Sequence, residues 1–376
     1  MGRDFFQILP SELTSSILSR LPFRRAAISK CVCKSWLNLL DSDYFDIKTP
    51  PALVCLKSNP SHFTIFEIED EADLESHDLH YVQLTNFHSP HGCEPTGCTA
   101  ANGLLLLYTE RRDVENPVYI CNPLTRQYIV LCHPKKYAFD ETVFYFDFCV
   151  SEISGQYKVV CITQAGGSHY CHVYTLGTGI WRRVETGVAS GFTFCYLVQH
   201  AACNGNLHWT VDLMDRPCFR ICGFDVETEC FSIFSPPSAL TLLEDRVDDL
   251  YLMLNVVRDC LCFCYTEDYE IIIWLMKEYR VEESWSIEYK LSTIGFDIEG
   301  GWVNNFVCPI KVFKDGDVLM ILDGEDLIYY SHKTRTIQQV CMFNDADEED
   351  YANVATIFTP SLFNLKSFGL ENVISF

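Results

Sequence analysis

The sequence predicts two unlike parts: a small all-α helical module over residues 1–48, then an all-β propeller of about six blades over residues 52–376. Three observations carry this. Short helical stretches punctuated by Leu-Pro steps run only as far as residue 45 or so. After Pro50-Pro51, read as a linker over 49–51, the apolar period changes from helical to strand-like. From there, related strand–turn–strand words recur at intervals of about 45 residues, the repeat length of a propeller blade.

In the first part, Ser11 is placed to cap a helix that runs to Leu21, where Pro22 stops it. Leu13, Ile17, Leu18 and Leu21 then share one face. A second short helix carries Ile28, Cys31 and Val32 on one side, and a third begins near Lys34 and presents Trp36, Leu37 and Leu40. Three helices of two or three turns hide only part of this apolar surface. Domains near 40 residues need a metal, disulfides or a partner to be stable. Cys31 and Cys33 have no second pair at metal-ligand spacing, so a partner is the expected solution.

The body repeats one grammar. A small or polar turn leads into a buried strand, a second strand follows, and a tight turn leads into a third. The tight turns read Asn122-Pro-Leu-Thr, Leu176-Gly-Thr-Gly, Asp225-Val-Glu-Thr and His332-Lys-Thr-Arg, residue types that tolerate positive φ or bond their own backbone. Five such units, together with strands in 52–84, make about six blades. The C-terminal Ala355–Phe363 is expected to add a strand to the first blade and close the ring, since an open ring exposes two sheet edges.

Charge and cysteine usage narrow the partners. The net charge is −23; residues 1–50 are slightly basic, so the body carries −25. Such a body repels phosphate backbones, which excludes nucleic acid; solubility is the plain reading of the charge and a basic partner the sharper one. Twenty cysteines sit inside apolar runs such as Leu261-Cys-Phe-Cys-Tyr, the N-terminus has no apolar signal-peptide run, and no Asn-x-Ser/Thr acceptor occurs apart from one blocked by Pro60. These features predict free thiols in a reducing, intracellular setting, cytoplasmic or nuclear. The longest apolar run, Ile271–Met276, has strand length, so no membrane span is expected.

The words Leu9-Pro10, Glu12-Leu13, Ile17-Leu18, Leu21-Pro22, Cys31-Val-Cys-Lys-Ser-Trp36 and Asp43-Tyr-Phe45 resemble the F-box. Ser16 departs from it, standing where many F-boxes carry Glu, beside the apolar stripe rather than in it. The resemblance implies docking onto the Skp-family adaptor of a cullin–RING ubiquitin ligase. The contact would come from Leu9, Pro10, Leu13, Ile17, Leu18, Leu21, Pro22, Ile28, Val32 and Trp36. The body resembles the plant F-box-associated domain, related to kelch propellers. The words that carry this are Asn102-Gly-Leu-Leu, Asn122-Pro-Leu-Thr, Tyr157-Lys-Val-Val, Leu176-Gly-Thr-Gly-Ile-Trp-Arg, Asn204-Gly-Asn-Leu-His-Trp and Phe224-Asp-Val-Glu-Thr-Glu. The Gly-Gly pairs of ordinary kelch blades do not recur; Gly166-Gly167 and Gly300-Gly301 sit out of phase.

No nucleophile elbow, zinc-protease helix or phosphate-binding loop appears. The group His77, His80, His88, His91, Cys93 and Cys98 reads as a surface loop rather than a metal site, His169–His172 as alternation along a strand, and His208-Trp209 as packing. The acidic runs 67–75 and 345–350 read as solvated loops, with recruitment of basic degrons the alternative. Adjacent acids such as Asp248-Asp249 on a strand point to opposite faces, a poor geometry for acid/base catalysis. The expectation is therefore a substrate receptor of an SCF-type ligase with no catalytic residues, metal or cofactor. A non-degradative F-box scaffold and a propeller hydrolase are the alternatives, and the substrate is not identified.

Overall fold

The computed structural model describes residues 9–21, 23–40, 52–57, 62–68, 79, 81–90, 95, 97–109, 117–134, 142–194, 201–213, 219–241, 252–296, 305–324, 326–340, 352–369 and 372–375. Within them, the turn words fold as their chemistry requires. Asn102-Gly103 and Asn204-Gly205 make two-residue hairpins with both residues at positive φ, which Asn and Gly adopt at least cost. The second family of turns is a four-residue loop whose last residue is left-handed: Arg126, Gly179, Glu229 and Arg335 in four different sheets. Thr occupies the third loop position each time. The residue before the loop closes it: Asn122 Oδ1 accepts from the Leu124 and Thr125 amides, and Asp225 Oδ1 accepts from that of Thr228.

Strands joined by these turns form six antiparallel sheets, arranged as a six-bladed propeller. Strands are lettered a to d outward from the centre, where the a strands of successive blades lie against one another. Blade 1 is made of Ala352–Phe358, Ala52–Lys57, His62–Ile68 and Tyr81–His88; blade 2 of Gly97–Ala101, Leu104–Tyr108, Val118–Asn122 and Gln127–Leu131. Blade 3 is Thr142–Val150, Tyr157–Ala165, Ser168–Thr175 and Trp181–Val184. In blade 4 the a position is shared by Phe192–Phe194 and Ala201–Cys203, followed by Asn206–Leu213, Arg220–Asp225 and Phe231–Phe234. Blade 5 is Met253–Val257, Cys260–Glu267, Glu270–Met276 and Trp285–Ser292; blade 6 is Val307–Val312, Val318–Leu322, Asp326–Ser331 and Thr336–Gln339.

The hydrophobic core is divided into six clusters, one at each seam between neighbouring blades. Central strands are therefore buried on both faces: Leu104–Tyr108 and Val318–Leu322 are buried at every position. Polar staples cross the seams as well. Trp181 and Trp285 start strand d of blades 3 and 5, and each donates its indole N–H to a carbonyl just past strand d of the preceding blade, Cys132 and Ser235. Lys158, on strand b of blade 3, ion-pairs with Glu229 at 2.8 Å and bonds the Val226 carbonyl of blade 4. Arg182 completes the pair from its other side. Burial alone would raise the Glu229 carboxyl, yet the Arg182 and Lys158 bonds bring it below its ordinary range.

Because antiparallel strands alternate direction, all a–b and c–d turns fall on one face and all b–c and d–a connections on the other. The chain enters blade 1 at Ala52, the start of strand b, on the a–b/c–d side, hereafter the near face. The C-terminal strand closes the ring as expected: Ala352–Phe358 pairs with Ala52–Lys57 as the innermost strand of blade 1. The chain then does something the sequence did not signal. Residues 359–369 run along the near face beneath blades 2 and 3, and Ile374–Ser375 pairs with Gln127–Tyr128 as a fifth strand of blade 2. Fully buried Asn122 holds this tail by donating to the Ser361 and Phe363 carbonyls at 3.1 and 2.8 Å. Phe363 and Phe368 pack on Tyr157 of blade 3. A Cβ at Gly103 would collide with Ser361, so that turn needs glycine for close approach as well as for φ.

Asn122→Ala removes two tail bonds and two turn bonds at one buried position. It is expected to cost about 4 kcal/mol, at roughly 1 kcal/mol net for each of the four hydrogen bonds. A lowered thermal midpoint, together with earlier proteolytic loss of the C-terminal tail read by intact mass, checks this.

Candidate functional site

The helical module folds from three short helices, α1 (Ser11–Leu18), α2 (Phe23–Ser29) and α3 (Lys34–Leu40). Ser11 is the first helical residue and not the cap. Pro10 occupies the N-cap with extended ψ of 146°, and its carbonyl accepts from the Leu13 and Thr14 amides. The helix also stops at Leu18, three residues short of the expected end. Beyond it the Arg20 and Leu21 amides bond three residues back, tightening the last turn.

The apolar stripe of α1 divides between two directions. Leu18 is fully buried and Thr14 on the same helix nearly so; Ala26 of α2 and Leu40 of α3 are the other buried apolar side chains among the described residues of the module. Leu13 and Ile17 are about half exposed, at 53% and 50%, and Leu9 continues their line at four-residue spacing. Ile28, Val32 and Leu37 are likewise exposed. Among the described residues of the module, six large apolar side chains are thus exposed and three apolar side chains are buried. Of the expected contact residues, Pro10 is exposed, Leu21 and Trp36 are half-buried, and Pro22 lies outside the described residues. Leu18, also among the expected contact residues, is fully buried.

Among the described residues no three His, Cys, Asp or Glu side chains converge in a way that could hold a metal. Of the His/Cys loop group, His88 ends strand d of blade 1 with its ring 4.8 Å from that of His62, and Cys98 is buried in strand a of blade 2. His77, His80, His91 and Cys93, the acidic residues 69–75 and 345–350, Asp248-Asp249 and Gly300-Gly301 lie outside the described residues. The described cysteines are all free. Burial pushes the thiols of Cys98, Cys149 and Cys308 up to about 12, which keeps them protonated and chemically quiet.

His208 shows why packing is the right reading of its repeat word. Its Nδ1 lies 2.9 Å from the Ala201 carbonyl, which only accepts, so Nδ1 carries the proton. Nε2 therefore accepts from the Tyr279 hydroxyl of blade 5 at 2.8 Å. Nδ1 ties the ring within blade 4, and Nε2 joins it to blade 5. Arg280, stacked at 5.2 Å over Tyr279 and bonded to Asn206, completes this network.

Comparison with known proteins decides the family. The family described as F-box associated beta propeller domain matches residues 52–360, and the F-box domain matches residues 6–48. The chain belongs to the F-box-associated β-propeller family. Its F-box is N-terminal and its propeller follows. Among relatives from Arabidopsis thaliana, the F-box protein At3g07870 is 27% identical over 370 residues, covering 86% of this chain and 83% of that protein. The F-box protein At1g47340 is 24% identical, covering 88% of this chain and 74% of that protein. The F-box/kelch-repeat protein At3g23880 is 24% identical, covering 82% and 86%. F-box domains generally bind a Skp-family adaptor and through it the cullin scaffold, and an F-box joined to a propeller supports a substrate-receptor role in general. No helix among the described residues is long and apolar enough to cross a membrane.

In this F-box-associated propeller, burial lowers the His208 imidazole to about 4. The unfolded chain takes up that proton below about 6.5, whereas the folded chain resists it, so stability falls as pH drops from 6.5 toward 4. The contribution lost between pH 7 and pH 5 is about 2 kcal/mol. Urea unfolding at the two pH values should show a smaller loss for His208→Gln than for the wild type.

Proposed function

We propose that this chain is the substrate-recognition subunit of an SCF-type ubiquitin ligase. In this reading residues 1–48 dock the adaptor, 49–51 link, and 52–376 hold a target protein for ubiquitination and proteasomal degradation. The observation that carries it is the exposed apolar surface of the helical module. Leu9, Leu13, Ile17, Ile28, Val32 and Leu37 are exposed, against three buried apolar side chains among the described residues of the module, and a partner helix face is what such a surface lacks. Leu21 and Trp36 lie at its edge, half-buried.

The mechanism is proximity rather than chemistry. The adaptor side joins the ligase core, the propeller side holds a target, and a ubiquitin-charged enzyme carried elsewhere in the complex meets the target's lysines at raised effective concentration. Strand b of blade 1 begins at Ala52 on the near face, and the C-terminal tail covers that face beneath blades 2 and 3. The far face, with the b–c and d–a connections, is therefore assigned to the target, since loops on a fixed frame are where recognition varies. The complex belongs to the cytoplasm or nucleus. Kinship with kelch blades finds support in one relative, At3g23880.

The test separates surface from core. Leu13→Asp with Val32→Asp should abolish co-purification of a Skp-family adaptor, a loss of at least about 100-fold, while leaving the thermal midpoint unchanged, because both side chains are already in water. Leu18→Ala should instead cost about 2–4 kcal/mol and loosen the module. Adaptor binding unchanged in the double variant removes the proposal.

A further inference from the structure

The b and c strands of blade 5 are joined on the far face by Asp268-Tyr269, with φ of 48° and 63°. Two-residue hairpins of this kind favour Asn-Gly, and a tyrosine in the left-handed region is strained. Its ring gains no packing in return: Tyr269 is 69% exposed. The backbone beneath it is nonetheless fixed, because the Tyr269 carbonyl accepts from both the amide and the hydroxyl of Thr293, at 2.9 and 2.8 Å. The next residue, Ile294, is 76% exposed, and two residues later Phe296 packs into the seam between blades 5 and 6. Two large apolar side chains are therefore exposed to water on backbone segments tied to each other through Thr293.

Their surroundings carry one sign of charge. Glu267, Asp268 and Glu270 flank Tyr269 on its hairpin, and Asp323 and Asp326 sit at the equivalent turn of blade 6. Among the described residues of these hairpins and of strand d of blade 5, the cation nearest this end is Lys290, which lies 3.7 Å from Glu270. We propose that this end of blades 5 and 6 is a docking surface for a basic protein segment. An apolar residue of that segment would pack on Tyr269 and Ile294, and its Lys or Arg side chains would meet the acidic rim. The inference rests on the reading of the propeller as the receptor half.

The test uses the full chain bound to its adaptor and three fluorescent synthetic peptides: one rich in Lys and Arg around a central Leu, one with the Leu replaced by Ser, and one with the basic residues replaced by Glu. Anisotropy titrations should show the first peptide binding at least about tenfold more tightly than either control, and more weakly as salt rises. Tyr269→Ser with Ile294→Ser should weaken it about tenfold or more, and Asp268→Asn with Glu270→Gln should flatten the salt dependence. Tyr269→Gly relieves the backbone and should raise the thermal midpoint while also weakening the peptide, which a purely structural tyrosine would not do. Equal binding of the three peptides, or binding indifferent to the Tyr269 and Ile294 changes, overturns the docking surface while adaptor co-purification in the same preparation leaves the receptor reading standing.

Discussion

Strand Ala352–Phe358 lies beside Ala52–Lys57, its partner from the opposite end of the body, and the six seams of the ring depend on that pairing. Closing a loop of about 300 residues costs on the order of 5 kcal/mol in chain entropy. Leu53, Val54, Leu56 and Phe358 are all buried at or near this strand pair, and each fully buried side chain of this size contributes about 1.5–3 kcal/mol. Burial therefore outweighs closure. Without the closing strand, blade 1 would offer the unpaired inner edge of Ala52–Lys57, and the clusters on either side of blade 1 would lose part of their walls. The tail extends the same logic: after closing blade 1 it crosses to blades 2 and 3 and fastens there through Asn122 and Tyr157.

Much of this architecture was legible because propeller turns are local. Asn102-Gly103, Asn204-Gly205 and the four-residue turns at Asn122 and Asp225 announce themselves through positive φ and self-bonding side chains, so the blade count followed from their spacing. What stayed hidden was long-range. Lys158 meets Glu229, and His208 meets Tyr279, each across 71 residues of sequence, and nothing in either neighbourhood names its partner. The tail residues Phe363, Leu365 and Phe368 belong to no repeat word, so the periodicity that revealed the blades was silent about them. In the helical module the stripe Leu13–Ile17–Leu18 was visible, but a stripe wider than one contact line does not say which edge turns inward. Leu18 turns inward and is buried, while Leu13 and Ile17 stay outside.

The two exposed apolar surfaces differ in how they are supported, and the difference fits two kinds of partner. On the helical module the apolar residues recur at four-residue spacing along short helices, with little polar interruption, which suits one fixed partner met along a continuous face. On blade 5 the apolar pair is small, strained and ringed by carboxylates, a geometry that discriminates by charge and contributes modest affinity. A receptor gains from that asymmetry. On the proposed reading, adaptor contact persists through many cycles and a target is released once modified, which matches apolar docking through the helices and salt-sensitive recognition at blade 5.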